Sequence, residues 1–315
     1  MSGHIAITGA SGFIGRSICR HLHARGWRLR LLMRPASNAA LLNHIEAEVV
    51  RGDLQDEAAL ARLVDGACAV IHCAGVVRGA SRQDFDKVNV EGLARLLKAV
   101  QGAVAPPRLF VLSSLAAREP GLSFYADSKR RGEQLLEQQA GKLNWLALRP
   151  PAVYGPGDRE MLPLFRAMAK GFAPVPGKTT SRFSMIYVDD IASVVSTWLE
   201  RNDVASGIFT LHDNREGGYD WNEVCQVVSE LCQRRVRPIE IPSLLLDIPA
   251  WLNARLSPGL GHAPMLTPGK LRELRHPDWV CDSDAISALL DWQPRITLRE
   301  GLLKTPGWRI QESAD

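Results

Sequence analysis

Tyr125 and Lys129 stand four residues apart in a stretch with helical patterning, so both side chains leave one face of a helix. An ammonium beside a phenol favours the phenolate and draws its pKa toward neutrality, giving a proton donor and acceptor usable near pH 7. Ahead of the pair, an apolar run ends in Leu112-Ser113-Ser114, where a hydroxyl can hold and polarise a carbonyl oxygen. A Tyr-x-x-x-Lys pair alone is common on helix surfaces. A second motif gives it weight: the apolar run Ile5-Ala6-Ile7 breaks into Thr8-Gly9-Ala10-Ser11-Gly12-Phe13-Ile14-Gly15. Gly9 permits a tight turn, Gly12 lets backbone approach a pyrophosphate, and Gly15 lets a helix pack close on the strand. The phosphates then rest on free N–H groups at the positive end of that helix. The bland alternative, an ordinary strand-to-helix turn, is disfavoured by the position directly behind an N-terminal strand.

These residues need a scaffold, and the chain alternates strand and helix patterns from its start. Strands are expected at 5–8, 29–33, 47–50, 69–72, 109–112 and 145–148, with helices near 13–25, 57–63, 85–100 and 125–139. Short buried strands between amphipathic helices predict an α/β fold with a doubly wound parallel sheet covered on both faces. After Tyr154 the pattern loosens. Gly155-Pro156-Gly157 and the Pro174, Pro176 and Gly177 segment read as loops, 184–187 as a strand, and 191–200 as a helix. Asp220-Trp221-Asn222-Glu223 is a capping box opening a helix to about Cys232. The expected organisation is a dinucleotide-binding domain over 1–154, with 184–211 returning to it, and a smaller C-terminal substrate lobe built mainly from 155–315.

Composition narrows the function classes. The 315 residues are 46% hydrophobic and 23% charged, as in ordinary soluble globular proteins. A net charge of +4 with scattered Arg and Lys gives little support to nucleic-acid binding. Cys19, Cys68, Cys73, Cys225, Cys232 and Cys281 form neither a CxxC pair nor a compact disulfide framework, and most fall in apolar stretches and read as buried thiols of a reducing compartment. The eight histidines are dispersed, so no metal site is expected. No leader pattern and no membrane-length apolar run is visible, which predicts a cytoplasmic protein.

Across nearly its whole length the sequence resembles the extended branch of the short-chain dehydrogenase/reductase superfamily, which includes NAD-dependent epimerases and dehydratases. The resemblance is carried by Thr8–Gly15, Arg51-Gly52-Asp53-Leu54, His72-Cys73-Ala74-Gly75, Asn89-Val90-Glu91-Gly92, Ser113-Ser114, Tyr125–Lys129, the stretch from Arg149 to Asp158, and Ile186-Tyr187-Val188-Asp189-Asp190. It implies a Rossmann-type fold, Tyr125 as acid/base, Lys129 on the nicotinamide ribose, and one of Ser113 and Ser114, with Ser114 favoured, on the substrate oxygen. It further implies Asp53 with Leu54 at the adenine, and Ala74, Gly75, Pro150 and Val153 along the cofactor. Ser114 and Tyr125 are only 11 positions apart, closer than in most extended relatives, which predicts a more open site on that side. Ser123 is an alternative hydroxyl, although N-capping the following helix is its expected job.

The second strand ends in Leu31-Leu32-Met33-Arg34, without the acid that would grip ribose hydroxyls. Arg34 can pair with a 2′-phosphate, which favours NADP(H), with NAD(H) the alternative. The resemblance also bears on substrate. Nucleotide-sugar relatives commonly carry an asparagine where this chain has Arg149-Pro150-Pro151-Ala152, and an arginine where it has Phe183, with Arg182 adjacent but differently directed. Pro150-Pro151 instead resembles ketone reductases and hydroxysteroid-type dehydrogenases. The segment from Ile239 to Leu252 reads as core, as the lining of a lipid groove, or as a peripheral contact with a membrane surface, with a basic rim from Lys270, Arg272 and Arg275. The expected activity is NADP(H)-dependent reduction of a hydrophobic, lipid-like ketone to a secondary alcohol, similar to bacterial ceramide or 3-oxosphinganine reductases. Rivals are a nucleotide-sugar epimerase or dehydratase with tightly bound NAD, and a non-catalytic dinucleotide-binding sensor or structural subunit. Leu93, Leu96, Leu97 and Val100 fit either a homodimer seam or the protein's own core, leaving homodimer and monomer open.

Overall fold

The computed structural model describes residues 3–37, 39–260 and 264–309. Its first half comprises β1 (His4–Thr8), α1 (Phe13–Ala24), β2 (Leu29–Met33), β3 (Ala47–Arg51), α2 (Glu57–Val64), β4 (Ala67–His72), α3 (Arg82–Asn89), α4 (Glu91–Gln101), β5 (Arg108–Leu112), α5 (Phe124–Gln139) and β6 (Trp145–Arg149). There follow β7 (Ala152–Tyr154), α6 (Leu162–Ala169), β8 (Phe172–Val175), β9 (Arg182–Phe183), β10 (Met185–Tyr187), α7 (Val188–Glu200) and β11 (Gly207–Thr210). The last part is α8 (Trp221–Cys232), β12 (Arg237–Glu240), α9 (Ser243–Leu260), α10 (Pro268–Arg275), β13 (Asp278–Trp279), α11 (Asp284–Leu290) and α12 (Leu298–Lys304).

Seven parallel strands form the main sheet in the order β3-β2-β1-β4-β5-β6-β11. This is the doubly wound α/β arrangement expected from the alternating apolar runs. Strand periodicity sorts the side chains. Ile5, Ile7, Ala69, Ile71, Phe110 and Leu112 go to one core with Ile18, Leu22, Val195 and Trp198 of α1 and α7. Ala6, Val70, Leu109 and Val111 go to the other, with α2, α4 and α5. Leu93, Leu96, Leu97 and Val100 are at most 2% exposed in that second core, so the chain's own sheet consumes them. A third core gathers Tyr154, Phe165, Met168, Tyr187, Val228 and Trp308, drawing on both spans assigned to the dinucleotide-binding domain and on the later segments.

Three local expectations change. The helix expected over 85–100 begins earlier, at Arg82 behind a Ser81–Asp84 capping box, and divides at Val90, where Asn89 sends its side chain across to Val76. Pro174 lies in β8, not a loop; β8 and β12 form a two-stranded sheet, all edge, where a missing N–H is tolerated. The strand near 184–187 pairs with β7 in a small separate sheet, while α7 packs on α1 and β11 extends the main sheet.

Candidate active site

The glycine turn is held by backbone on each side. Gly9 adopts φ +73°, and a Cβ there would lie 2.5 Å from the backbone N of Ala74. A Cβ on Gly15 would stand 2.2 Å from the Gly9 carbonyl oxygen, so α1 sits on β1 at a spacing only glycine allows. Gly12 begins α1 with no side-chain cap, and the first turn, from Phe13 and Ile14, carries no acid. Its leading N–H groups beside half-buried Ser11 therefore suit an anion. Thr8 ties this turn to the end of β4, its carbonyl accepting from Cys73 N and its hydroxyl from Ala74 N. Arg34 is exposed at the end of β2, and half-buried Asp53 follows β3 with one oxygen accepting from Gln55 N at 2.8 Å. Leu54 is buried against Gly92. These residues follow the carboxyl ends of β1, β2, β3 and β4, where open α/β sheets take dinucleotides, and the uncapped helix and Cβ-free cradle fit one.

Ser123 caps α5, accepting from Ala126 N at 2.9 Å, and so fixes Tyr125 in the first turn with Lys129 one turn on. The Tyr125 hydroxyl is hydrogen-bonded with Ser114, and its ring leans on Phe85 at 6.1 Å. Burial pushes the phenol up to about 12; the Ser114 hydrogen bond works against this and the Glu273 charge adds to it. Lys129 Nζ donates to the Leu112 carbonyl at 3.0 Å beside Gly75 and Asn89, and burial brings it down to about 8 against the pull of Glu133. This corrects the expectation that Lys129 draws the phenol toward neutrality: the ammonium is turned to the strand end, and burial dominates.

The two serines separate. Ser113 is buried and donates to Glu133 at 2.6 Å, while Arg149 gives the same carboxylate bonds of 2.7 and 2.5 Å. Ser114 faces Tyr125. Pro150 supports that turn through its carbonyl, which accepts from Leu115 N at 2.9 Å, and Val153 is half-buried in β7 opposite Ile186. Asn89, buried, accepts from Val76 N at 2.9 Å and donates to Val76 O at 3.1 Å and to Ser128 at 2.9 Å, fixing the Gly75–Val76 backbone over α5. Buried His72 bonds Thr8 at 2.8 Å, and burial drops its pKa to about 3, so it is neutral at physiological pH.

On the other side of Tyr125 lies a cavity of about 270 Å³, lined by Val77, Phe85, Phe124, Ala254, Met265 and Pro264 together with Lys270 and Glu273. Along the short Ser–Tyr connection Pro120, Gly121 and Phe124 are exposed, while Arg118, Leu122 and Ser123 are contacted from the lobe. Arg272 donates to the Leu122 carbonyl at 2.8 Å, Arg118 to Val280 O at 2.6 Å, and Ser123 to Glu273, so α10 and the segment at β13 hold the two ends of the connection. Lys270 pairs with Glu273 at 2.9 Å, and Arg275 with Asp247 at 2.6 Å. Of the expected basic rim, Arg272 ties α10 to the body, while Lys270 is paired within α10 and Arg275 is bonded within the lobe. Glu273 and Glu133 carry no sequence motif; the i,i+3 spacing from Lys270 was the one available signal for Glu273.

A doubly wound sheet with an anion-ready glycine turn, and a Ser–Tyr–Lys group at the same strand edge, define a dinucleotide-dependent oxidoreductase. The model of the NAD dependent epimerase/dehydratase family matches residues 5–211. The chain belongs to this family, in the extended short-chain dehydrogenase/reductase branch. It is 38% identical over 314 residues to a ceramide reductase of Caulobacter vibrioides, covering 97% of this chain and 94% of that protein. It is 30% identical to a 2-alkyl-3-oxoalkanoate reductase of Stenotrophomonas maltophilia over 60% of this chain and 62% of the relative. Among solved structures, the fold matches gox2253 (TM-score 0.74, 24% identity, 98% of both chains). It also matches MoeE5 in complex with UDP-glucuronic acid and NAD (TM-score 0.73, 23% identity, 97% of this chain and 98% of that one).

Proposed function

We propose that this protein reduces a ketone on a hydrophobic, lipid-like substrate, such as an N-acylated or free 3-oxo-sphingoid, using NADP(H). The observation that carries this is that Tyr125, whose hydroxyl is bonded with Ser114, lines a largely apolar cavity. When bound, the reduced nicotinamide supplies hydride. Ser114 holds the carbonyl oxygen, and Tyr125, kept protonated through neutral pH by burial, delivers the proton to the alkoxide. Lys129, turned toward Gly75, orients the ribose beside the ring. Ser113 serves the Glu133–Arg149 network and positions the neighbouring turn. Asp53, Ala74, Gly75, Pro150 and Val153 complete the cofactor site, and Arg34 takes the 2′-phosphate. The reductase names of the Caulobacter and Stenotrophomonas relatives support this chemistry.

A nucleotide-sugar reading is disfavoured because Arg182, near where such relatives place an anion-binding arginine, is committed to the Gly217 and Gly218 carbonyls at 2.6 and 2.9 Å. Oxidation of NADPH is to be followed against long-chain 3-oxo lipids, steroids, flavonoids and UDP-sugars. The expected result is turnover of the 3-oxo lipids, lowered about 10²- to 10⁴-fold in Tyr125→Phe with dinucleotide affinity kept. Protein isolated with bound NAD⁺ that consumes no NADPH and interconverts UDP-sugars would overturn it. A Tyr125→Phe variant with unchanged dinucleotide-dependent behaviour and no turnover in the parent would point to a sensor instead.

A further inference from the structure

Helix α9 is built inside out. Its residues Leu246, Ala250, Asn253 and Ala254 face the protein, with Ala250 fully buried and the Asn253 side chain donating to the Leu266 carbonyl at 3.0 Å. At 3.6 residues per turn, the opposite face carries Leu244, Leu245, Ile248, Trp251, Leu252 and Leu256. These six are 70%, 65%, 56%, 52%, 43% and 58% exposed. A helix that only completed a core would turn the leucines inward and leave the alanines to solvent. Bulky apolar side chains concentrated outward on one element mark a surface that meets something apolar.

The charges select the occupant. From Leu244 to Leu256 the outward face holds one ionic group, Arg255, whose guanidinium stacks 5.0 Å over the Trp251 ring. Asp247, the acid of this segment, is paired with Arg275 at the side. The stretch leading into the helix adds exposed Arg234, Arg235 and Arg237 and the 53% exposed Ile239. Glu240, the acid of that stretch, is held by Thr179 N and Oγ1 at 2.8 and 3.1 Å, and leucines beside a tryptophan with arginines in excess match the boundary between acyl chains and anionic headgroups. Among the described residues no helix is long and apolar enough to cross a membrane, so α9 would lie in the interface plane.

We propose that the outward face of α9 docks the protein onto an anionic phospholipid bilayer. Ala254, on the inward face of the same helix, lines the cavity at Tyr125, which places that cavity about one helix diameter, roughly 10 Å, from the acyl boundary. The docking does not depend on which substrate is reduced, because lipid binding and turnover are measured separately.

The test uses the full chain and large unilamellar vesicles, either pure phosphatidylcholine or equimolar phosphatidylglycerol and phosphatidylcholine, in a sedimentation assay. The protein is expected to pellet with the anionic vesicles and less so as NaCl is raised. Leu244→Ser/Ile248→Ser and Arg255→Glu are each expected to weaken vesicle affinity about tenfold or more while keeping the parent's melting curve and its stabilisation by dinucleotide. No binding to anionic vesicles, equal binding to neutral ones, or undiminished binding by well-folded variants overturns the proposal. A dimer in sedimentation equilibrium that the same substitutions break also overturns it, assigning the face to a second copy.

Discussion

The two walls around Tyr125 are made in different ways. On the dinucleotide side the surface is backbone: a positive-φ glycine, an uncapped helix start and a strand edge, all within a few residues of one another. On the cavity side it is side chains from distant segments, with Ser123 meeting Glu273 across 150 positions and Arg118 reaching the carbonyls of β13 and the residue after it. Backbone geometry offers one solution and tolerates no added atom. Side-chain clamps can be exchanged while the fold is kept. A single fold can therefore hold its coenzyme side fixed and vary what it reduces.

Substitutions on the two walls should then separate cleanly. The largest effect is expected from Gly15→Val, whose side chain would meet the Gly9 carbonyl: stability falls by about 1–3 kcal/mol, read by thermal melting, and dinucleotide binding is lost in calorimetry. If instead dinucleotide binding survives and only the ketone KM moves, the contrast between the walls fails. Glu273→Gln is the matching probe of the cavity side. With one charged partner removed from Ser123 and Lys270, the ketone KM should rise about tenfold while dinucleotide affinity stays put. Equal loss of both would mean that the walls act as one unit.

The smallest effect is a pH signature of Lys129. Its pKa in the folded chain is lowered by burial to about 8, below the 10.5 of an unperturbed lysine. Between those values the unfolded chain binds more protons, so the protein without dinucleotide gains stability as pH rises through the window. The ammonium that orients the ribose is lost over the same range, so dinucleotide affinity should fall a few-fold above pH about 8. Both trends, opposite in sign, should be missing from Lys129→Met when melting and dinucleotide titrations are repeated from pH 7 to pH 10.

The same contrast explains what could be read before any coordinates. The glycine turn, the alternation of strands and helices and the Tyr125–Lys129 helix follow from local pattern, because each is set within a few residues. The lobe's clamps are contacts between distant segments, and neither Glu133 nor Glu273 sits in a recognisable motif. Lys270, Arg272 and Arg275 looked like a rim because charge alone does not reveal a partner; in the fold each is bonded to a carboxylate or carbonyl. Similarly, the apolar stretch that ends in Leu252 could not be divided into inside and outside until α9 gave it faces.

The bare start of α1 at Gly12 reaches beyond the reaction. A helix whose opening amides are answered by a diffusible anion rather than by its own serine or aspartate makes the chain's persistence conditional. Heat, proteases and dilution should all act harder on molecules that have lost their nucleotide, so the protein's lifetime would follow the supply of its own electron carrier.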